Sequence, residues 1–118
     1  MLHTVLKSKL HMAKVTEANL NYEGSCTIDM DLVDSSNMNI NEQIHVLNVN
    51  NGERFVTYII PGERGSGTIC LNGACARLAQ VGDRVIIVSY GIVNDTEIKG
   101  YKPKVLIMDG DNKIKSKN

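Results

Sequence analysis

At 118 residues the chain has room for one hydrophobic core but not for two, so a single domain over 1–118 is expected. Thirteen Lys plus Arg balance thirteen Asp plus Glu, which leaves no net field to recruit nucleic acid or an anionic membrane, and no apolar stretch is long enough to span a bilayer. The three cysteines, Cys26, Cys70 and Cys75, are odd in number and lack a C-x-x-C pair, which argues against a disulfide framework and a zinc knuckle and fits a reducing cytoplasm.

In chain order, Lys7, Lys9 and Lys14 interrupt the apolar residues of the first segment, which therefore lacks the apolar core of a signal peptide. Period-two, β-branched, turn-bounded runs predict strands at 5–10, 43–49, 54–60, 68–71, 84–90 and 105–108. Asn51-Gly52 lies between two of them and predicts a type I′ hairpin turn, and Asp109-Gly110 marks another turn. Residues 29–38 read as a short helix and 74–79 as about one turn. Many short strands hide their edges best by closing into a barrel. The segment 111–118, with Lys113, Lys115 and Lys117 and little apolar content, reads as a flexible tail. Few aromatics and a modest aliphatic core favour oligomerisation.

The informative stretch is Asn21-Tyr22-Glu23-Gly24-Ser25-Cys26-Thr27-Ile28-Asp29, a Gly-Ser step entering a strand. Gly24 adopts backbone conformations closed to other residues, and the Ser25 hydroxyl lies within reach of the preceding carbonyl, so the pair permits an N-to-O acyl shift. In an arbitrary protein the same dipeptide is an ordinary turn.

Its company changes that reading. Lys9-Leu10-His11, Lys14-Val15-Thr16, Tyr22-Glu23-Gly24-Ser25 and Ile28-Asp29 are followed by Asn51-Gly52, Arg54-Phe55 and Thr57-Tyr58. Glu63-Arg64-Gly65-Ser66-Gly67, Asn72-Gly73-Ala74 and Val81-Gly82-Asp83 come next. In order and spacing these pieces resemble the aspartate 1-decarboxylase family from Lys9 to about Val88, and the likeness is weak beyond Tyr90. The resemblance implies a mainly β protein, a double-psi β-barrel with short helices, assembled as a homotetramer. It implies autocatalytic cleavage between Gly24 and Ser25, a β chain 1–24, an α chain 25–118, and a pyruvoyl group in place of Ser25. That group would form a Schiff base with L-aspartate and accept the electrons left by carbon dioxide, with no pyridoxal phosphate and no metal. The implied product is β-alanine for pantothenate and coenzyme A synthesis. Whether maturation is spontaneous or needs an accessory protein stays open.

Further residues carry a plain and a sharp reading. Arg54 is an edge-strand arginine by composition, whereas the resemblance makes it a grip on a substrate carboxylate. Lys9, one lysine among several, becomes a second carboxylate partner, and His11, two residues on, shares its face if both lie in a strand. Thr57 is implied to polarise the Gly24 carbonyl and contact substrate, and Tyr58 to donate a proton to the carbon left after decarboxylation. As strand neighbours they point to opposite faces, which suggests a bulge between them. Asn72, Gly73 and Ala74 would line the substrate with amides, with Cys75 standing where many relatives carry alanine, and Tyr22, like His11, is a second-tier site residue. Leu47 stands where some relatives place tryptophan. The loop 63–67 reads as structural.

Two other readings compete. A non-enzymatic β-barrel would keep Gly24-Ser25 as an uncut turn, and a decarboxylase for another acidic amino acid would keep the chemistry with a changed pocket. Lys9 and Arg54 favour a dicarboxylate.

Overall fold

The computed structural model describes residues 1–118. Its strands are β1 (His3–Lys14), β2 (Glu17–Asn19), β3 (Ser25–Asp29), β4 (Gln43–Asn48), β5 (Arg54–Gly62), β6 (Ile69–Asn72), β7 (Arg84–Val93), β8 (Lys104–Met108) and β9 (Ile114–Lys117). One α-helix, α1 (Met30–Ser36), and a single 3-10 turn (Gly73–Arg77) complete the elements. The strands form one mixed sheet in the order β2-β6-β3-β5-β4-β7-β1-β8-β9, with β1–β8, β2–β6 and β3–β5 parallel. The architecture is the mainly β one expected and agrees with a double-psi β-barrel, except that β2 and β9 end the ladder without pairing, so the sheet does not close.

Alternation sets the inside of the barrel: Ser8 and Leu10 on β1, Ile44 and Val46 on β4, and Val85 and Ile87 on β7 are buried, with their neighbours more exposed. β3 departs from alternation because it is paired on both edges, parallel to β5 and antiparallel to β6; only Thr27 in it is not fully buried. Asp29 ends β3 and caps α1. Its buried carboxylate accepts three backbone N–H bonds, from Asp31 (2.8 Å), Gly65 (3.1 Å) and Gly67 (2.9 Å). The 63–67 loop is thus wrapped around the start of the helix, and Arg64 joins it to Asp31 and Asp34 on α1.

The structure differs from the sequence reading in three places. The β4–β5 hairpin is not a two-residue type I′ turn: Gly52 has φ +77 but Asn51 is not in the positive-φ region. Side-chain oxygens of Asn48 and Asn51 accept from the amides of Asn50 (2.9 Å) and Glu53 (2.8 Å), and these local bonds stabilise a wider loop over 49–52. No bulge lies at Thr57-Tyr58, because the β4–β5 register runs unbroken from Leu47↔Arg54 to Gln43↔Tyr58. Irregularities lie instead in β1, between Leu6 and Ser8 and between Leu10 and Ala13, with Met12 at φ +64, and in β8 between Ile107 and Met108.

The third difference is the C-terminal segment. In place of a frayed tail, Ile114–Lys117 forms β9 against β8, and Asn112 is buried. The Asn112 carboxamide imitates a strand: Oδ1 accepts from Lys14 N at 2.6 Å, and Nδ2 donates to Lys14 O and Gly67 O, each at 2.8 Å. Composition hid this, because one asparagine supplies the bonds while the lysines stay in water.

Candidate active site

Ser25 opens β3 opposite Asn72, the last residue of β6. The serine is 1% exposed, and its hydroxyl donates to Glu23 O at 3.0 Å while Oγ accepts from Asn72 Nδ2 at 3.1 Å. The same Nδ2 donates to Thr27 Oγ1 at 2.9 Å. Ser25 and Thr27 share a face because they are two apart on a strand. Gly24, by contrast, is exposed, and a side chain there would meet nothing within 4 Å. A buried hydroxyl is therefore joined to an exposed glycine.

Gly73 fixes this corner. At φ +71 it turns the chain out of β6 into the 3-10 turn, and a Cβ there would lie 2.7 Å from Gly24 Cα and 3.0 Å from Tyr22 O. Only glycine lets the 22–24 segment lie so close. Ala74 is exposed, and Cys75 is half-buried against the core beside Cys26. Burial first, then the neighbouring thiols of Cys75 and Cys70, pushes the Cys26 thiol far above its ordinary range, so Cys26 is an inert core residue.

The remaining strand residues of the set, Thr57 excepted, occupy the outer face. Arg54, Val56 and Tyr58 point outward on β5, while Phe55, Thr57 and Ile59 point inward. Thr57 and Tyr58 therefore present to opposite surfaces. The β3–β5 ladder begins at Cys26↔Ile59, so Ser25 and Tyr58 are the residues just before the first pair, on the same side of it. Lys9 pairs with Val88, which pairs with His45, which pairs with Val56, a row that puts Lys9 and His11 on the outer face as well. Arg54 lines a shallow cavity of about 280 Å³ with Leu47, Gly52 and Ile86.

The structure thus brings Tyr22, Gly24, Ser25, Asn72 and Gly73 into one corner, with Tyr58 beside it, and leaves Lys9 apart. Lys9 lies four strands away in the order β3-β5-β4-β7-β1, roughly 19 Å along the sheet at about 4.8 Å per strand. Arg54 is four residues from Tyr58 along β5, roughly 13 Å. Neither Lys9 nor Arg54 is in a salt bridge, whereas Lys7 is held by Glu42 at 2.8 and 2.9 Å. Burial opposes the Glu42 charge, but the bonds from Lys7 and Asn39 outweigh it and hold the carboxyl below its ordinary value. His11 Nδ1 is buried without a hydrogen-bond partner.

Sequence reading overlooked Thr27, Cys70 and Glu17, which adjoin this corner. Thr27 was legible as the strand position two beyond Ser25. The Cys70–Glu17 contact, 3.3 Å between β6 and β2, joins residues far apart in sequence and leaves no local signal.

The corner thus holds a buried serine hydroxyl next to a glycine peptide, with a carboxamide donor on its oxygen, and no group of three or more His, Cys, Asp and Glu gathers anywhere in the fold. The family model for aspartate decarboxylase matches residues 1–115. The chain is 59% identical over 113 residues to "Aspartate 1-decarboxylase" of Thermoanaerobacter pseudethanolicus, covering 96% of this chain and 97% of that one. It is 60% identical over 114 residues to the protein of that name from Caldicellulosiruptor saccharolyticus, covering 97% and 89%. Against that of Bacillus velezensis it is 59% identical over 114 residues, covering 97% and 90%. The chain belongs to the aspartate decarboxylase family, and is accordingly a carboxy-lyase.

Proposed function

We propose that this protein is a proenzyme that cuts itself between Gly24 and Ser25 and then converts L-aspartate to β-alanine and carbon dioxide, supplying β-alanine for pantothenate and coenzyme A synthesis in the cytoplasm. The observation that carries the reading is the buried Ser25 hydroxyl, held between Asn72 Nδ2 and Glu23 O beside the uncrowded Gly24, in a chain of this family.

In the cleavage, Ser25 Oγ attacks the Gly24 carbonyl carbon and its proton passes to the departing peptide nitrogen, so the amide becomes an ester. Loss of the Ser25 Cα proton to a solvent base then breaks the Cβ–Oγ bond and releases Gly24 as a carboxylate. Water replaces the remaining nitrogen, which leaves as ammonia, and a ketone stays at position 25. Asn72 Nδ2 holds Oγ in place, and Thr57, from the inner face of β5, is assigned to the Gly24 carbonyl.

The resulting pyruvoyl group supplies a carbonyl that takes up the substrate amine and the electrons left by carbon dioxide. The corner fits it: Gly73 leaves room where a side chain would collide, and Asn72 offers a donor. Arg54 and Lys9, neither of which is in an internal salt bridge, bind the substrate carboxylates. Tyr58, beside Ser25 on the outer face, delivers the proton to the new carbanion carbon. Asn72, Gly73, Ala74 and Cys75 supply polar backbone contacts, with His11 and Tyr22 at the margin.

The carboxylates of one aspartate lie only a few bonds apart, while Lys9 and Ser25 sit four strands apart in the sheet order. On this reading Lys9, four strands from Ser25, reaches the substrate from another copy, in keeping with a homotetramer. The outer face is suited to such contact, since Val56 is 54%, Tyr90 43% and Ile92 68% exposed. The reading is tested by adding L-aspartate to purified protein and quantifying β-alanine. Wild type produces it and Ser25→Ala does not; production by Ser25→Ala at the wild-type rate refutes the assignment.

A further inference from the structure

Asn72 has two chemically different ends, and only one of them touches Ser25. A carboxamide turned over about its terminal bond would offer Oδ1 to Ser25 Oγ in place of Nδ2, and would draw the hydroxyl proton away from Glu23 O. The residue that opposes this rotation is Cys70, two positions earlier on β6 and so on the same face. Its Sγ lies 3.2 Å from Asn72 Oδ1 and 3.3 Å from Glu17 Oε2. Cys70 is 4% exposed. Burial first, then the hydrogen bond to Glu17 and its charge, push the thiol up to about 11, so at neutral pH it is protonated and can donate but cannot receive an N–H as a thiolate would.

Resting on the self-cleavage reading above, we propose that Cys70 is a positioning residue for cleavage at Gly24-Ser25: its thiol engages Asn72 Oδ1 and so keeps Nδ2 on Ser25 Oγ and Thr27 Oγ1. The contacts form one chain, Glu17–Cys70–Asn72–Ser25, from the exposed edge strand β2 to the scissile peptide. Glu17 and Asn72 compete for a single thiol proton, so the carboxylate holds the sulfur in place and weakens its grip on Asn72.

Serine keeps a donor at position 70 but fills less space, whereas valine fills the space and has no donor. If Cys70 acts through its proton, Cys70→Ser cleaves near the wild-type rate and Cys70→Val cleaves roughly 2- to 10-fold slower, the loss expected for one hydrogen bond. Glu17→Ala, which leaves the thiol a single acceptor, holds or raises the rate. Freshly purified full-length chains are followed by intact mass for the appearance of the two fragments. In parallel, the Asn72 side-chain amide resonances are recorded in uncleavable Ser25→Ala protein, where Thr27 still receives Nδ2. They shift with Cys70→Val and return with Cys70→Ser. Fast cleavage by Cys70→Val, slow cleavage by Cys70→Ser, or Asn72 resonances indifferent to Cys70→Val overturns the proposal. A wild-type chain that never cleaves defeats the self-cleavage reading, and the resonances alone then decide the role of Cys70.

Discussion

Replacing Gly73 by alanine perturbs the proposed cleavage corner without altering either residue of the Gly24-Ser25 step. The added Cβ would stand 2.7 Å from Gly24 Cα, 2.8 Å from Gly24 N and 3.0 Å from Tyr22 O, all backbone atoms that no rotamer change can move aside. Ordinary contact begins near 3.4 Å, so Gly24 must retreat by about 0.7 Å, the difference between 3.4 and 2.7 Å. Alanine at φ +71 also costs about 1–2 kcal/mol in the left-handed region. Gly52 separates the two effects: at φ +77 it has nothing within 4 Å, so Gly52→Ala carries the conformational cost alone. Both variants should melt lower, Gly73→Ala by more because the clash adds to the conformational cost. Only Gly73→Ala should also cleave slowly, by about 10- to 100-fold, because a sub-ångström to 1 Å misplacement of reacting atoms costs that much in rate. Cleavage is followed by intact mass and stability by thermal denaturation. Wild-type cleavage in Gly73→Ala, or equally slow cleavage in Gly52→Ala, would refute the idea that Gly73 sets the position of Gly24.

Tyr58→Phe should cleave normally yet form β-alanine far more slowly, since the fold keeps its aromatic ring and loses only the phenol; steady-state kinetics on fully processed protein check this. Co-expression of Ser25→Ala with Lys9→Ala should restore activity that neither has alone, because a mixed assembly pairs an intact Ser25 with an intact Lys9; no recovery would return both residues to one chain. Asn112→Ala removes three hydrogen bonds, to Lys14 N, Lys14 O and Gly67 O, and should cost about 2–4 kcal/mol by denaturant titration. Glu42→Gln should cost about 1 kcal/mol at neutral pH. The Glu42 carboxyl is held below its ordinary 4.5, so its stabilisation is present above that value and lost as pH falls through the lowered one; the gap in melting temperature to wild type should close in acid.

Much of the fold was legible because the signals were local. Alternation marked β4, β5 and β7, and the Asp29 cap lay where the helical pattern began. β2 escaped notice since Glu17–Asn19 is three exposed residues whose only pairing partner is β6, some fifty positions on. β9 escaped because its burial depends on Asn112, whose carboxamide acts only once Lys14 and Gly67 are brought to it. The site was legible as a list of residues through the family motifs. Its geometry was not: that Thr57 and Tyr58 face apart without a bulge, and that Lys9 and Ser25 are separated by four strands, follows from long-range register. That Cys70 is a neighbour of Asn72 Oδ1 was hidden for the same reason.

Intact-mass spectrometry of the purified protein under denaturing conditions tests self-cleavage most directly. Two chains of 24 and 94 residues are predicted, which together make up the 118, with the larger lighter by one ammonia than a chain beginning in serine. A single 118-residue mass in a preparation that forms β-alanine from L-aspartate would contradict the account.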